Sequence, residues 1–65
     1  MNNKPKTYFY YPVTPAGTLC DWLQAKTEKE AWDLLLEDAK HMPYKGKEGF
    51  RKRGYTVEKL LVSSD

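Results

Sequence analysis

The residues whose types and spacing come nearest to a recognisable chemistry lie in the stretch Lys45–Arg53. It holds five cations, interrupted by one acid, Glu48: Lys45, Lys47, Arg51, Lys52 and Arg53. Three aromatic residues are interleaved with them or flank them, namely Tyr44, Phe50 and Tyr55. Cations bind phosphate and aromatic rings stack on bases, so the stretch has the ingredients of a nucleic-acid surface. The alternative interpretation is a solvated loop ahead of a strand.

Several features favour the solvated loop. The formal net charge of the whole chain is only +2, and Glu48 breaks the basic run. No RRM, KH or helix-turn-helix pattern is present, and the acidic segment before the loop would not enter a major groove. Gly46 and Gly49 favour an irregular backbone. We therefore predict that residues 43–54 form a loop, with or without one short turn of helix. Within it Lys45–Arg53 would be exposed and mobile, and its charge would steer a protein partner and act on the association rate.

The other polar residues form no catalytic or metal-binding set. Gly46 and Gly49 are too close together for a phosphate loop. The chain has one cysteine, Cys20, and one histidine, His41. These numbers exclude an internal disulfide and a Cys/His zinc site. Glu37 and Asp38 could act as paired acids, but a chain of 65 residues has little material for a sugar cleft. We predict no enzymatic activity, no cofactor and no metal.

Strands are predicted on both sides of a central helix. The aromatic segment Lys6–Val13 is typical of a strand, and Pro12 should lie near its end because proline cannot donate to a ladder. Thr14–Gly17 has the Pro and Gly positions of a type I turn. It would connect to a return strand, Thr18–Ala25. The last strand is predicted to begin directly after Gly54, at residues 55–62.

The helix is predicted from Thr27 to about His41. Thr27 and Glu30 form a capping box, and Pro43 ends the helical pattern. The apolar residues recur with helical period on one continuous arc: Ala31, Trp32, Leu35, Leu36, Ala39 and Met42. Asp38 lies at the rim of this arc. It would either pair with a cation such as Arg51 or Arg53, or point into solvent.

These elements predict an α+β fold of the order ββαβ. The helix would connect the second and third strands by a right-handed crossover. The compact arrangement is a three-stranded sheet with the first strand central and antiparallel to the last, and with one helix packed on one face. A chain of 65 residues makes a single domain, residues 1–65, with flexible ends at 1–6 and 63–65.

One helix leaves the second face of such a sheet open. In one register this open face would carry Tyr8, Tyr10, Cys20 and Trp22, and in the other it would carry Phe9, Tyr11 and Leu23. Exposed apolar patches on small proteins mark binding or dimerisation surfaces, although tyrosines also tolerate water. The residues predicted to bind a partner are Tyr8, Tyr10, Trp22, Lys45, Lys47, Arg51, Lys52 and Arg53.

The expected location is the cytoplasm. The N-terminal residues MNNKPKTY contain no apolar core of a signal peptide, and no uninterrupted apolar run exceeds three residues. Such short runs exclude a transmembrane helix, so we predict no membrane contact. A single cysteine fits a reducing compartment.

The segment TEKEAWDLLLEDA, followed at a distance by RGYTVEKL, resembles small orphan proteins of phage and prophage early regions. The resemblance covers about the last two-thirds of the chain and carries no functional residue with it. It implies a role in host takeover or in inhibition of host defence through binding a host protein. Anti-CRISPR-like inhibitors are similar in size and lack catalytic sites.

The leading hypothesis is a small non-enzymatic binding module that occupies the surface of a protein partner. A homodimer through the open sheet face is one form that this hypothesis takes. The first alternative is a nucleic-acid-binding accessory protein that uses the basic loop 45–53 and the exposed aromatics. The second is a structural subunit of a larger assembly.

Overall fold

The computed structural model describes residues 6–63, so the predicted flexible ends at 1–6 and 63–65 lie outside the described residues except for Lys6 and Ser63. Four elements follow in the order strand, helix, helix, strand: β1 (Thr7–Val13), α1 (Glu28–Asp38), α2 (Gly46–Lys52) and β2 (Thr56–Ser63). The α+β class is confirmed. The order ββαβ, the three-stranded sheet and the single helix are wrong, because the sheet has two strands and two helices are present.

The first and last strands pair directly, as predicted. β1 and β2 are antiparallel, with Tyr8 opposite Leu61 and Val13 opposite Thr56. The register shifts between Thr7 and Tyr8, because Thr7 faces Ser63. Between these two pairs β2 contains one residue more than β1. Val62 is therefore the additional residue of a β-bulge.

The return strand predicted at Thr18–Ala25 is replaced by two isolated bridges. Ala25 pairs with Tyr10, and Leu19 pairs with Val13. Between them, Pro12 accepts a hydrogen bond from the Cys20 N–H at 2.8 Å. Because proline has no N–H, Pro12 cannot donate a hydrogen bond to Cys20 in exchange. One hydrogen bond is therefore missing in the middle of the pairing between β1 and residues 19–25. The segment opposite Pro12 forms a turn instead of a strand. This turn is closed by a 3.0 Å hydrogen bond from the Leu23 N–H to the Cys20 carbonyl.

Helix α1 forms where the capping box predicts it. The Thr27 hydroxyl accepts from the Glu30 N–H at 3.1 Å, and the Glu30 carboxylate accepts from the Lys26 N–H at 2.8 Å. The helix ends at Asp38 and not near His41. Its buried residues are Ala31, Trp32 and Leu35, whereas Ala39, also predicted to be buried, is only half-buried.

The stretch predicted as an exposed loop is mainly a second helix, α2. Its single buried side chain is Phe50, whose ring lies 5.1 Å from the rings of both Tyr44 and Tyr55 in edge-to-face geometry. These three rings anchor α2 to the segments on either side of it. Arg51 and Lys52 in its last turn suit the negative end of the helix dipole. Apolar anchoring therefore orders a segment whose charge and glycines favour a loop.

The core lies between the two helices and the end of the strand pair next to the turns. Its central cluster consists of Cys20, Leu23, Trp32, Leu35 and Phe50. Val57 packs against this cluster and faces Pro12 across the sheet. Opposed residues of antiparallel strands share a face, so Pro12, Tyr10 and Tyr8 lie on the face that the helices cover in part.

Neither of the two predicted sheet registers is correct. Cys20 and Leu23 were assigned to opposite faces, yet both are buried in the core, because the turn between them removes the strand alternation. Tyr11 lies on the face opposite the helices and is nevertheless only 7% exposed. Its hydroxyl accepts a 2.7 Å hydrogen bond from the Gln24 side-chain amide.

Candidate protein-binding surface

Large apolar side chains are exposed together at the far end of the strand pair. We name this group the apolar tip, and its members are Tyr8 (40% exposed), Leu60 (38%), Leu61 (48%) and Val62 (49%). The helices pack where Val57 faces Pro12, which leaves the opposite end of both strands uncovered by any described element. The tip therefore presents apolar area that the fold itself does not bury.

The tip has two distinct faces. Tyr8 and Leu61 are opposite each other and lie on the face shared with the helices. Leu60 is opposite Phe9 and lies on the other face. Val62 belongs to the bulge next to them. A partner could therefore contact apolar side chains on either side of the sheet.

One cation and one acid border the tip. The Lys59 ammonium nitrogen lies 4.7 Å from the centre of the Tyr8 ring. Lys59 is itself opposite Tyr10, so this contact is diagonal across the two strands. Glu58 is exposed on the other face, opposite Tyr11. The tip is thus rimmed by positive charge on one face and by negative charge on the other.

The outer edge of β2 carries unpaired backbone groups. Tyr10 exchanges hydrogen bonds of 2.7 and 3.0 Å with Ala25, so its N–H and C=O point away from β2. The alternation of an antiparallel ladder then directs the backbone of Leu60 and Glu58 toward β1. It directs the backbone of Val57, Lys59 and Leu61 outward. Within residues 6–63, β1 is the sole sheet neighbour of β2.

The five cations of the predicted basic site are all exposed, and three of them contact other side chains of the domain. The Lys47 ammonium lies 5.7 Å from the centre of the Trp32 ring, and the Arg53 guanidinium lies 5.0 Å from that of Tyr44. Arg51 forms a 3.1 Å ion pair with Glu48, one turn earlier in α2. Three of the five cations thus have partners within the domain. Lys45 and Lys52 are exposed.

Trp22 is separate from the residues predicted to share its surface. It is 62% exposed and sits in the turn that replaces the return strand. Its indole N–H donates to an Asp38 carboxylate oxygen at 3.4 Å, beside the end of α1. Asp38 therefore accepts a hydrogen bond from an aromatic N–H and stays exposed, whereas the sequence left open a pair with Arg51 or Arg53 and a side chain that points into solvent.

Of the predicted aromatic site residues, Tyr8 alone belongs to the apolar tip. Tyr10 is half-buried and is held between Ala25 and Lys59. Leu60, Leu61 and Val62 were not predicted as site residues. The signal in the sequence is the apolar run at the end of the predicted last strand, residues 55–62. Its exposure follows from the lack of a third strand beside it among the described residues.

Among the remaining candidate residues, Cys20 packs in the core. Burial raises the pKa of the Cys20 thiol, and the carboxylates of Asp38 and Asp21 raise this pKa further. The thiol is therefore protonated at neutral pH and is a poor nucleophile. No group of potential metal ligands and no pocket is found among the described residues.

Comparisons with known proteins assign no family. The sequence matches no protein-family model, and no curated protein or solved structure is significantly similar to it. Within residues 6–63, neither helix has the length and apolar content needed to cross a bilayer. The surface of the protein is therefore the source of information about its function.

Proposed function

We propose that this protein is a small non-enzymatic binding module that occupies the surface of a protein partner through its apolar tip. The observation that carries the proposal is the concentration of exposed Tyr8, Leu60, Leu61 and Val62 at one end of a chain with a small core. Well-packed apolar and aromatic side chains supply most of the energy of protein interfaces, while rim contacts exclude water. The tip has the composition of such a centre.

The charges around the tip define the chemistry of the partner. Lys59 stands beside Tyr8 and Leu61, so a complementary surface would offer an apolar depression with a carboxylate near its rim. On the other face, Glu58 would meet a cation. Rim charges of this kind orient the encounter and set the association rate more than they set affinity.

The resemblance to small phage early-region proteins suggests the kind of partner and the biological role for this proposal. The partner would be a host protein in the cytoplasm, and the module would act as a takeover factor or an inhibitor of a defence system. An inhibitor of this kind needs a surface and no catalytic residues. A structural subunit of a larger assembly would use the same tip, with fixed stoichiometry and no effect on a host activity.

The test is affinity capture with immobilised protein in three forms. Leu61→Glu places a charge in the centre of the tip, and Thr56→Glu places the same charge on the same strand outside it. Both positions are exposed, so both variants should keep the wild-type far-ultraviolet spectrum and melting temperature. Wild type and Thr56→Glu should retain the same protein from a lysate, and Leu61→Glu should lose it.

Two results would contradict the proposal. In one, a retained protein binds Leu61→Glu as well as wild type, which would move the interface away from the tip. In the other, the retained material disappears after nuclease treatment, which would favour the basic surface of α2 and a nucleic-acid partner. Binding of purified candidate protein by calorimetry would then give the affinity of each variant.

A further inference from the structure

The free edge of β2 is poorly protected against pairing with another strand. Residues 58–62 are all exposed, and the backbone groups of Val57, Lys59 and Leu61 face outward. Natural sheets protect such edges with charged side chains, above all lysine, with proline, with a β-bulge or with a covering element. The bulge residue of β2, Val62, lies at the far end of the strand, and the register from Thr56 to Leu61 is regular. Lys59 is the cation on this edge, but its ammonium lies over the Tyr8 ring of β1 and so leans away from the edge.

We propose that β2 pairs edge to edge with β2 of a second copy of this chain. The two antiparallel strands would join two small sheets into one sheet of the order β1, β2, β2 of the second copy and β1 of the second copy. This inference concerns the backbone edge, whereas partner binding concerns the side chains of the apolar tip. Either can hold without the other.

Symmetry limits the register of this pairing. Antiparallel strands of identical copies are related by a two-fold axis perpendicular to the sheet, so a residue at the axis faces its own copy. An axis at Lys59 or at Glu58 would place like charges directly opposite each other, which destabilises a strand pair. An axis at Leu61 would place the bulge residue Val62 directly beside the axis, opposite Leu60. An axis at Leu60 places leucine against leucine, Lys59 against Leu61 and Glu58 against Val62, so the bulge residue lies further from the axis.

The Leu60-centred register also builds continuous rows of side chains. On the face opposite the helices, Phe9 and Leu60 of one copy would meet Leu60 and Phe9 of the other in one apolar row. On the helix-side face, each Lys59 would lie next to Leu61 of the second copy, and Tyr8 of that copy would follow Leu61 in the same row. This register places the two Lys59 residues at a diagonal and sets no like charges directly opposite each other. It also joins apolar residues of both copies in one row, which favours a second copy over an unrelated strand.

The geometry at the axis provides a specific test. Because the Leu60 backbone points toward β1, Leu60 would form a non-hydrogen-bonded pair with its copy, with Cα atoms about 4.5 Å apart. A disulfide spans Cα separations of about 4.4–6.8 Å. Leu60→Cys should therefore form a covalent dimer under mild oxidation, seen on a non-reducing gel. Lys59→Cys and Leu61→Cys place each thiol opposite a residue that is not cysteine.

The wild-type protein is the control for Cys20, which is buried and should not cross-link. Sedimentation of wild type should show a mass that doubles as the concentration rises through the micromolar range, and Leu60→Lys should remain a monomer with an unchanged fold. A wild-type monomer at every concentration would overturn the inference. Cross-linking of Lys59→Cys or Leu61→Cys as readily as Leu60→Cys would overturn it as well.

Discussion

The Lys59 ammonium rests on the Tyr8 ring, 4.7 Å from its centre and diagonally across the only strand pair among the described residues. A cation over an exposed aromatic ring contributes about 0.5–1 kcal/mol. The contact therefore stabilises the open end of the strand pair, which the helices do not reach. It also keeps the charge of Lys59 next to the apolar tip, where a partner would encounter both together.

The first prediction tests which leucines support the fold. Leu35→Ala should lower the free energy of unfolding by about 2–5 kcal/mol, because Leu35 is 3% exposed in the core cluster. The same replacement at Leu61, 48% exposed, should cost less than about 1 kcal/mol. Urea unfolding followed by tryptophan fluorescence measures both. Equal effects of the two replacements would show that the assigned core is wrong.

The second prediction separates backbone strain from close contact at two glycines. Gly17 and Gly54 both have positive φ, 89° and 102°. A Cβ atom at Gly54 would lie 3.2 Å from Cβ of Pro15, whereas a Cβ atom at Gly17 would meet nothing within 4 Å. Both alanine variants should lose about 1 kcal/mol or more from the strained backbone.

Gly54→Ala should lose more than Gly17→Ala because Pro15 must also move. Thermal unfolding of the two variants and of wild type gives the comparison. If Gly17→Ala is the more destabilised variant, the turn at Thr14–Gly17 limits stability and the approach of Gly54 to Pro15 does not.

The third prediction concerns alkaline pH. The pKa of the Cys20 thiol is raised by burial and by the carboxylates of Asp38 and Asp21. The folded protein therefore keeps a proton that the unfolded chain releases near its ordinary pKa of about 8.5. The contribution of Cys20 to stability is complete below that pH, and it decreases as the pH rises above it through the folded pKa.

Unfolding free energies of wild type and Cys20→Ala, measured between neutral pH and pH 10, test this sign. The replacement lowers stability by a constant amount at neutral pH, and the difference between the two proteins should narrow as the pH rises. A constant difference would show that the thiol does not contribute to the pH dependence. Alkylation of wild type should likewise be slow at neutral pH and fast in denaturant.

The fourth prediction concerns nucleic acid. Non-specific DNA-binding proteins reach dissociation constants of about 10⁻⁴ to 10⁻⁶ M at physiological salt. We expect short single- and double-stranded oligonucleotides to bind more weakly than this range, since Lys47, Arg51 and Arg53 already have partners within the domain. Low-micromolar binding that is abolished by Arg51→Glu together with Arg53→Glu would reverse this interpretation.

The sequence predicted the elements that depend on local signals. Thr27 and Glu30 cap α1 as expected, and the helical spacing of Ala31, Trp32 and Leu35 identifies its buried face. The pairing of the first strand with the last follows from aromatic and β-branched composition and from the order of the elements. For α1, neighbouring residues and a simple period contain the determining interaction, whereas the strand pairing is long-range and was predicted from composition and from the order of the elements.

The elements that the sequence did not predict depend on backbone pairing and side-chain packing that neither propensity nor a simple period reveals. A single missing N–H at Pro12 prevents the return strand, which strand propensity alone does not reveal. Phe50 orders α2 by packing between Tyr44 and Tyr55, although its neighbours are mostly charged. The exposure of the apolar tip depends on the absence of a third strand beside it within residues 6–63.

The pairing of β1 with β2 also determines when this protein can acquire its structure during synthesis. The ribosome synthesises Thr7–Val13 early and Thr56–Ser63 late. Strand β1 therefore cannot pair with β2 until the helices between them have been translated. Loops of this length must close before long-range pairing is rewarded, which slows folding relative to local contacts. In the meantime Tyr8, Phe9, Tyr10 and Tyr11 form an unpaired aromatic segment, the kind of sequence to which chaperones bind and from which nascent chains aggregate.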